Sequence, residues 1–132
     1  MKTIFLFLAF CLLATLSKAQ SPAKDNRFFE TRIYYCETGR LDALLARFRN
    51  HTTKLFEKHG MTNIGYWVAT DVPDKLIYIM AYPNKEARDK SWKAFIADPE
   101  WNKVKEASEK DGKIVAKIES IFMNPTDFSP IK

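Results

Sequence analysis

The chain has 132 residues, a hydrophobic fraction of 46% and a formal net charge of +5 at pH 7. That is one domain's length, enough for a single buried core and too little for several. Basic and acidic side chains are interspersed, with no run of five or more like charges, so the surface reads as solvated and not as a nucleic-acid footprint.

Residues 1–19 stand apart from the rest. Lys2 gives a short positive start, Ile4–Leu16 is an apolar run, and Ser17-Lys18-Ala19 offers small residues before a cut after Ala19. This is the layout of a secretory signal peptide, and the run is shorter than the ~20 residues of a membrane-spanning helix. The expectation is an exported protein, periplasmic or secreted, with no membrane insertion once the signal is removed. Lys2 and Lys18 leave with the signal and no acid does, which takes the net charge from +5 to +3. Cys11 leaves too, so Cys36 has no internal disulfide partner, and its place in a strand pattern reads as a buried, inert thiol.

Residues 20–27 form a short polar leader, and residues 28–132 the folded domain. The first strand spans Phe28–Cys36; Glu30, Arg32 and Tyr34 share one face, and Thr31, Ile33 and Tyr35 the other. Glu37-Thr38-Gly39 turns the chain into a helix from Arg40 to Lys58, whose stripe is Leu41, Leu44, Leu45, Phe48, Thr52, Leu55 and Phe56. On this pattern Arg47, Arg49, Asn50, Lys54 and Glu57 fill the remaining surface. His59 suits the negative end of the helix dipole and Gly60 the left-handed residue after it. A second strand covers Asn63–Thr70, with a turn at Asp71-Val72-Pro73-Asp74. The third strand, Lys75–Tyr82, is almost continuously apolar, which marks a strand covered on both faces.

Pro83 ends that strand and Asn84 caps the next helix, with Ala87, Ser91, Ala94 and Phe95 inward and Trp92 beside them. Asp98-Pro99-Glu100 restarts a helix, with Asp98 as N-cap and Pro99 in the first turn. Trp101, Val104 and Ala107 line it. A fourth strand runs over Lys113–Met123, followed by an arm, Asn124–Lys132, containing Pro125 and Pro130.

The order β-α-β-β-α-β predicts an α+β fold of the ferredoxin-like kind, a four-stranded antiparallel sheet with its helices on one face. The third strand's second apolar face then needs a cover that one chain does not supply. A second copy packed sheet to sheet supplies it, so the expected state is a homodimeric α+β barrel.

The residues carry few signatures of chemistry. His51 and His59 lack carboxylates at ligand spacing, so no metal is expected. There is no nucleophile elbow and no glycine-rich phosphate loop. The best site candidate is the row Glu30, Arg32, Tyr34. Arg32 could bind an anionic or carbonyl oxygen, Tyr34 could donate a hydrogen bond, and Glu30 could hold Arg32 or accept a proton. The structural alternative is a Glu30–Arg32 salt bridge. Trp67 and Tyr78, from a large aromatic set, are candidates to line a pocket for a flat apolar ligand, with core filling as their other reading. His51 is either a satisfied interface histidine or a ligand or proton-transfer group at the barrel mouth.

The segments Glu30-Thr-Arg-Ile-Tyr34, Gly39-Arg-Leu-Asp-Ala-Leu-Leu-Ala-Arg-Phe48, Phe56-Glu-Lys-His-Gly-Met-Thr-Asn-Ile-Gly-Tyr-Trp67 and Asp98-Pro-Glu-Trp101 resemble the NIPSNAP family, of the dimeric α+β barrel superfamily. The resemblance runs from about Phe28 to Pro130. It implies the dimeric barrel and no catalytic residues that can be carried over. Eukaryotic members are associated with mitochondria and vesicle traffic; a chain with this signal peptide departs from that setting. The expected function is the binding of a small, partly apolar molecule in the barrel cavity, without a cofactor. The enzyme alternative, by analogy with similar barrels, is a cofactor-free monooxygenase or isomerase acting on an aromatic or polyketide-like substrate. In it Glu30 or His51 would take the proton, and Arg32 and Tyr34 would hold the oxyanion.

Overall fold

A computed structural model of the chain describes residues 27–132. Residues 1–26, which hold the expected signal peptide and most of the expected leader, lie outside the described residues. The strands are β1 (Phe28–Cys36), β2 (Thr62–Val68), β3 (Lys75–Tyr82) and β4 (Val115–Met123), joined antiparallel in the order β2-β3-β1-β4. This is the ferredoxin-like sheet expected from the sequence. The helices are a first helix in two parts, α1 (Leu41–Arg47) and α2 (Thr53–Lys58), then α3 (Lys85–Ala97) and α4 (Pro99–Ser108).

Local sequence explains most element ends. The Asn84 side chain accepts from the Ala87 amide at 2.8 Å, and Asp98 accepts from the Glu100 amide at 2.8 Å with Pro99 opening α4. Gly60 has φ +75°, the left-handed turn that releases the chain from α2 into β2. The start of α1 is served from outside: Asp74, itself at φ 54°, accepts from the Gly39 amide at 2.9 Å. Some bounds differ from expectation by a residue or two: β2 spans Thr62–Val68 instead of Asn63–Thr70, β4 begins at Val115 instead of Lys113, and the first helix begins at Leu41 instead of Arg40.

The first helix is not one regular helix. Between α1 and α2 the residues Phe48–Thr52 form a π-helical turn. The Thr52 and Thr53 hydroxyls donate to the carbonyls of Arg47 and Phe48, five residues back, each at 3.2 Å. The wider turn sets the following helix back in phase. The buried residues of α2, Leu55 and Phe56, therefore line up with Leu44 and Arg47 upstream. Arg47, expected on the solvated side, is buried.

Between sheet and helices lies an aromatic core. The Phe48 ring sits 5.2 Å from Tyr78, 5.7 Å from Tyr66, 5.9 Å from Tyr34 and 6.0 Å from Phe56, all near edge-on. Phe56 and Phe95 tie the first helix to α3, and Phe95 and Trp101 tie α3 to α4. The sheet's other face carries Ile33, Ile77, Ile79, Trp67 and Ile121, with no helix over them. Trp67 and Ile121 on that face are each 52% exposed. The C-terminal arm returns over part of it, placing Pro125 and Ile131 beside Phe29, Ile79 and Met123.

A charged cluster staples α2 to α4. Asp98 accepts from Lys58 Nζ at 2.8 Å and pairs with His59 Nε2 at 2.7 Å. The Lys58 and His59 bonds, with the Glu100 amide, hold the Asp98 carboxyl well below the usual carboxylate range. A depressed folded pKa contributes stability above the ordinary value near ~4, and that contribution is lost as pH falls toward the folded one. Below about pH 4 the wild type should lose melting temperature more steeply than Asp98→Asn, which keeps the cap but not the charge. Parallel melting curves against pH for the two proteins would contradict this.

Candidate functional site

Alternation puts Glu30, Arg32 and Tyr34 on one face, and the bonds from α3 to Glu30 show that this face lies under the helices, opposite Met80, Tyr78 and Leu76 of β3. The Glu30 side chain is fully buried. Arg88 of α3 grips it as a fork, Nε to Oε2 at 2.8 Å and Nη2 to Oε1 at 2.7 Å. Arg32 Nη1 donates to Oε1 at 2.9 Å, and the Tyr82 hydroxyl and Trp92 indole N–H donate to Oε2 at 3.1 and 3.2 Å. The Arg32 guanidinium also lies 4.1 Å above the Trp92 ring. Burial pushes the Glu30 carboxyl upward, but Arg88 and Arg32 outweigh it and hold the group below its usual value. Burial would lower Arg32, but Tyr34, Tyr78 and Glu30 raise it above the usual arginine value, so it stays cationic.

Glu30 and Arg32 do form a salt bridge, and it belongs to a larger buried knot. With five donor atoms around its carboxylate, Glu30 faces no open space from which to take a proton. Arg32 is partly spoken for as well: its Nη1 is shared between Glu30 and Ser120 Oγ at 3.2 Å.

Beside the knot the interior opens. The Tyr78 hydroxyl donates to that of Tyr34 at 3.0 Å, and burial pushes Tyr78 far above its ordinary pKa. Helix coverage stops short of β4, leaving Ile118 and Phe122 on the helix-facing side of that strand exposed. The gap between β4 and α4 is a cleft of about 550 Å³ whose walls include Tyr34, Arg47, Trp101, Lys105, Glu109 and Ile118. Arg47 lies 5.3 Å from the centre of the Trp101 ring. An aromatic wall, an apolar strand and a buried guanidinium converge there, which suits a small molecule with one apolar and one polar part.

The structure brings Arg32, Tyr34 and Tyr78 together and separates Trp67 and His51 from them. Trp67 is one residue out of phase with Tyr66, so its indole lies on the sheet's opposite face, folded over Gly65. A Cβ on Gly65 would meet that ring at 2.5 Å. Trp67 therefore cannot line a pocket with Arg32. His51, in the π-helical turn, is exposed and faces a groove between the first helix and α4, of about 550 Å³, outside the β4 cleft. Arg47 borders both spaces. Arg47 was the residue that sequence reasoning missed; the adjacent Thr52-Thr53 pair in mid-helix was the available signal of a local departure from α-helical phase. Among the described residues no group of three or more His, Cys, Asp or Glu could hold a metal ion, and no helix is long and apolar enough to cross a membrane.

Fold and cleft together define a ferredoxin-like α+β domain with an open, cation-lined cleft of ligand size. The NIPSNAP family model matches residues 29–130, and the chain belongs to the NIPSNAP family. A search of curated proteins found no match. Among solved structures, a NIPSNAP family protein of unknown function from Agrobacterium tumefaciens is 22% identical, with a TM-score of 0.72 over 83% of this chain and 97% of that one. A NIPSNAP-like domain protein from Burkholderia xenovorans is 19% identical, with a TM-score of 0.71 over 80% of this chain and 90% of that one. At 9% identity, a Nitrosomonas europaea protein provisionally described as an antibiotic biosynthesis monooxygenase gives a TM-score of 0.57 over 81% of this chain and 97% of that one. At these identities the likeness is one of fold.

Proposed function

We propose that this protein is an exported, homodimeric small-molecule binder of the NIPSNAP family, holding a partly apolar molecule in the cleft between β4 and α4. The observation that carries the reading is the cleft itself, where Tyr34, Trp101 and Ile118 border a space of about 550 Å³ closed at its inner end by Arg47. Binding is favoured over turnover because the two groups best suited by type to take a proton are badly placed. Glu30 is saturated with donors, and His51 faces a different groove. The expected cavity lies under the helices rather than between two sheets. The apolar outer face of the sheet supports dimerisation, and the pattern of residues 1–19 supports export.

Native mass spectrometry of protein purified from its own host, without heating, tests all three parts. The expected result is a dimer whose subunits begin at Gln20 and which carries a reproducible added mass. Ala116 borders the cleft and is exposed, so Ala116→Trp should fill the space without disturbing the core and abolish the added mass. Retention of the same added mass by Ala116→Trp would place the ligand elsewhere, and an unprocessed subunit would remove the claim of export.

A further inference from the structure

Arg47 is the most deeply buried of the charged residues that line the cleft. Its side chain is 4% exposed. Nη1 donates to Ser108 Oγ at 3.2 Å and stands 3.7 Å from Glu109 Oε1, beyond hydrogen-bond reach. Its buried Nε has no partner. Buried N–H groups on a charged side chain are normally satisfied, so one left without an acceptor beside an open cavity marks where an acceptor is expected. Burial pulls the guanidinium below its ordinary pKa and the nearby groups, Glu109 first among them, do not make up the difference. The charge is thus only partly compensated. The cleft walls add to the imbalance, since Arg47, Lys105, Lys113 and Lys117 face the single carboxylate of Glu109, and Lys117 is engaged outside with Glu119.

We propose that the cleft ligand is a flat, apolar monocarboxylate whose carboxylate docks on Arg47 while its ring system lies between Trp101 and Ile118. The proposal deepens the binding reading above and rests on it. A carboxylate presents two acceptor oxygens, matching Nε and a neighbouring guanidinium N–H. The Tyr34 hydroxyl, which already accepts from Tyr78, has its own hydrogen left to donate. A doubly charged phosphate fits less well, because Glu109 stands close to the same guanidinium and would repel it. The indole of Trp101 and the side chain of Ile118 offer apolar surface to a planar body and no further acceptor.

The test uses two probes of one shape, 2-naphthoate and neutral 2-naphthamide, titrated into the full mature protein and followed by calorimetry. Naphthoate should bind about tenfold or more tightly than naphthamide. Arg47→Gln should bring that ratio down to about one. In nitrogen-15 spectra of the wild type, the Arg47 Nε–H resonance should shift with naphthoate and stay fixed with naphthamide, a readout that does not depend on the variant folding. Equal binding of the two probes, or an unmoved Arg47 Nε–H at saturation with naphthoate, overturns the carboxylate proposal while leaving the cleft a binding site. Binding of neither probe at millimolar concentration overturns the proposal together with the reading beneath it.

Discussion

Glu30→Gln should lower the free energy of unfolding by about 3–5 kcal/mol, the cost expected when one partner of a buried ion pair is removed. The substitution keeps shape and volume, so no cavity contributes. What it removes is the carboxylate charge that Arg88 grips from Nε and Nη2 and Arg32 from Nη1, leaving Arg88 with Asp89 at 3.2 Å. Arg32 then loses its carboxylate partner and Arg88 the nearer of its two, while both side chains stay largely out of water. Against a total stability of roughly 5–15 kcal/mol for a domain, a loss of this size brings the protein close to unfolding at 37 °C. The triple variant Glu30→Leu, Arg32→Met, Arg88→Met should recover much of the loss, because exchanging a whole buried ionic cluster for apolar groups is often near neutral. Recovery would be incomplete, since Tyr82 loses the acceptor at 3.1 Å, whereas Trp92 keeps the Tyr82 oxygen at 2.8 Å. Urea denaturation at pH 7 measures both. If Glu30→Gln costs under about 1 kcal/mol, the knot is solvated in solution and this account of it is wrong.

The same cluster shows what was legible beforehand and what was not. Alternation along β1 was readable because one strand determines its own two faces, so Glu30, Arg32 and Tyr34 were grouped correctly from spacing alone. Nothing in β1 said which of those faces the helices would cover. That depends on Arg88 and Trp92, which meet Glu30 across more than fifty residues of chain. The caps at Asn84 and Asp98 were legible for the same local reason as the alternation. The first helix failed in a specific place. Its stripe assumed α-helical phase throughout, but a π-helical turn occupies Phe48–Thr52, and Arg47, three residues after Leu44 on the same side of α1, is buried where a solvated arginine was expected. Trp67 was grouped by residue type rather than by phase, and type does not determine side. Membership of the NIPSNAP family fixes the sheet that carries these residues. It does not say what Arg47 meets in the cleft, which is why the chemistry has to be argued from the unpartnered nitrogen.

If the proposed dimer forms through the bare sheet face, Ile121→Lys should convert it to monomer while Ile118→Lys leaves it intact. The two residues lie three apart on β4, and in the single chain they are similarly exposed, 52% and 45%. Neither substitution removes a side chain from the core, so the fold should survive both. They differ in the side of the sheet they occupy. Ile121 stands opposite Thr31 on the face carrying Ile33, Ile77 and Ile79, and Ile118 stands opposite Tyr34 on the face beneath the helices. If a second copy covers the bare face, the interface is isologous and each substitution is felt twice. Losing the burial of two isoleucines, at about 1.5–3 kcal/mol each, weakens association by roughly 10²- to 10⁴-fold. Sedimentation velocity from nanomolar to micromolar subunit concentrations separates the outcomes. A wild type that stays monomeric throughout, or two variants that dissociate alike, would mean that the bare sheet face is not where two copies meet. A dimer lost only in Ile121→Lys would locate the contact on that face, and would explain why β3 is apolar on both sides although its own chain covers only one.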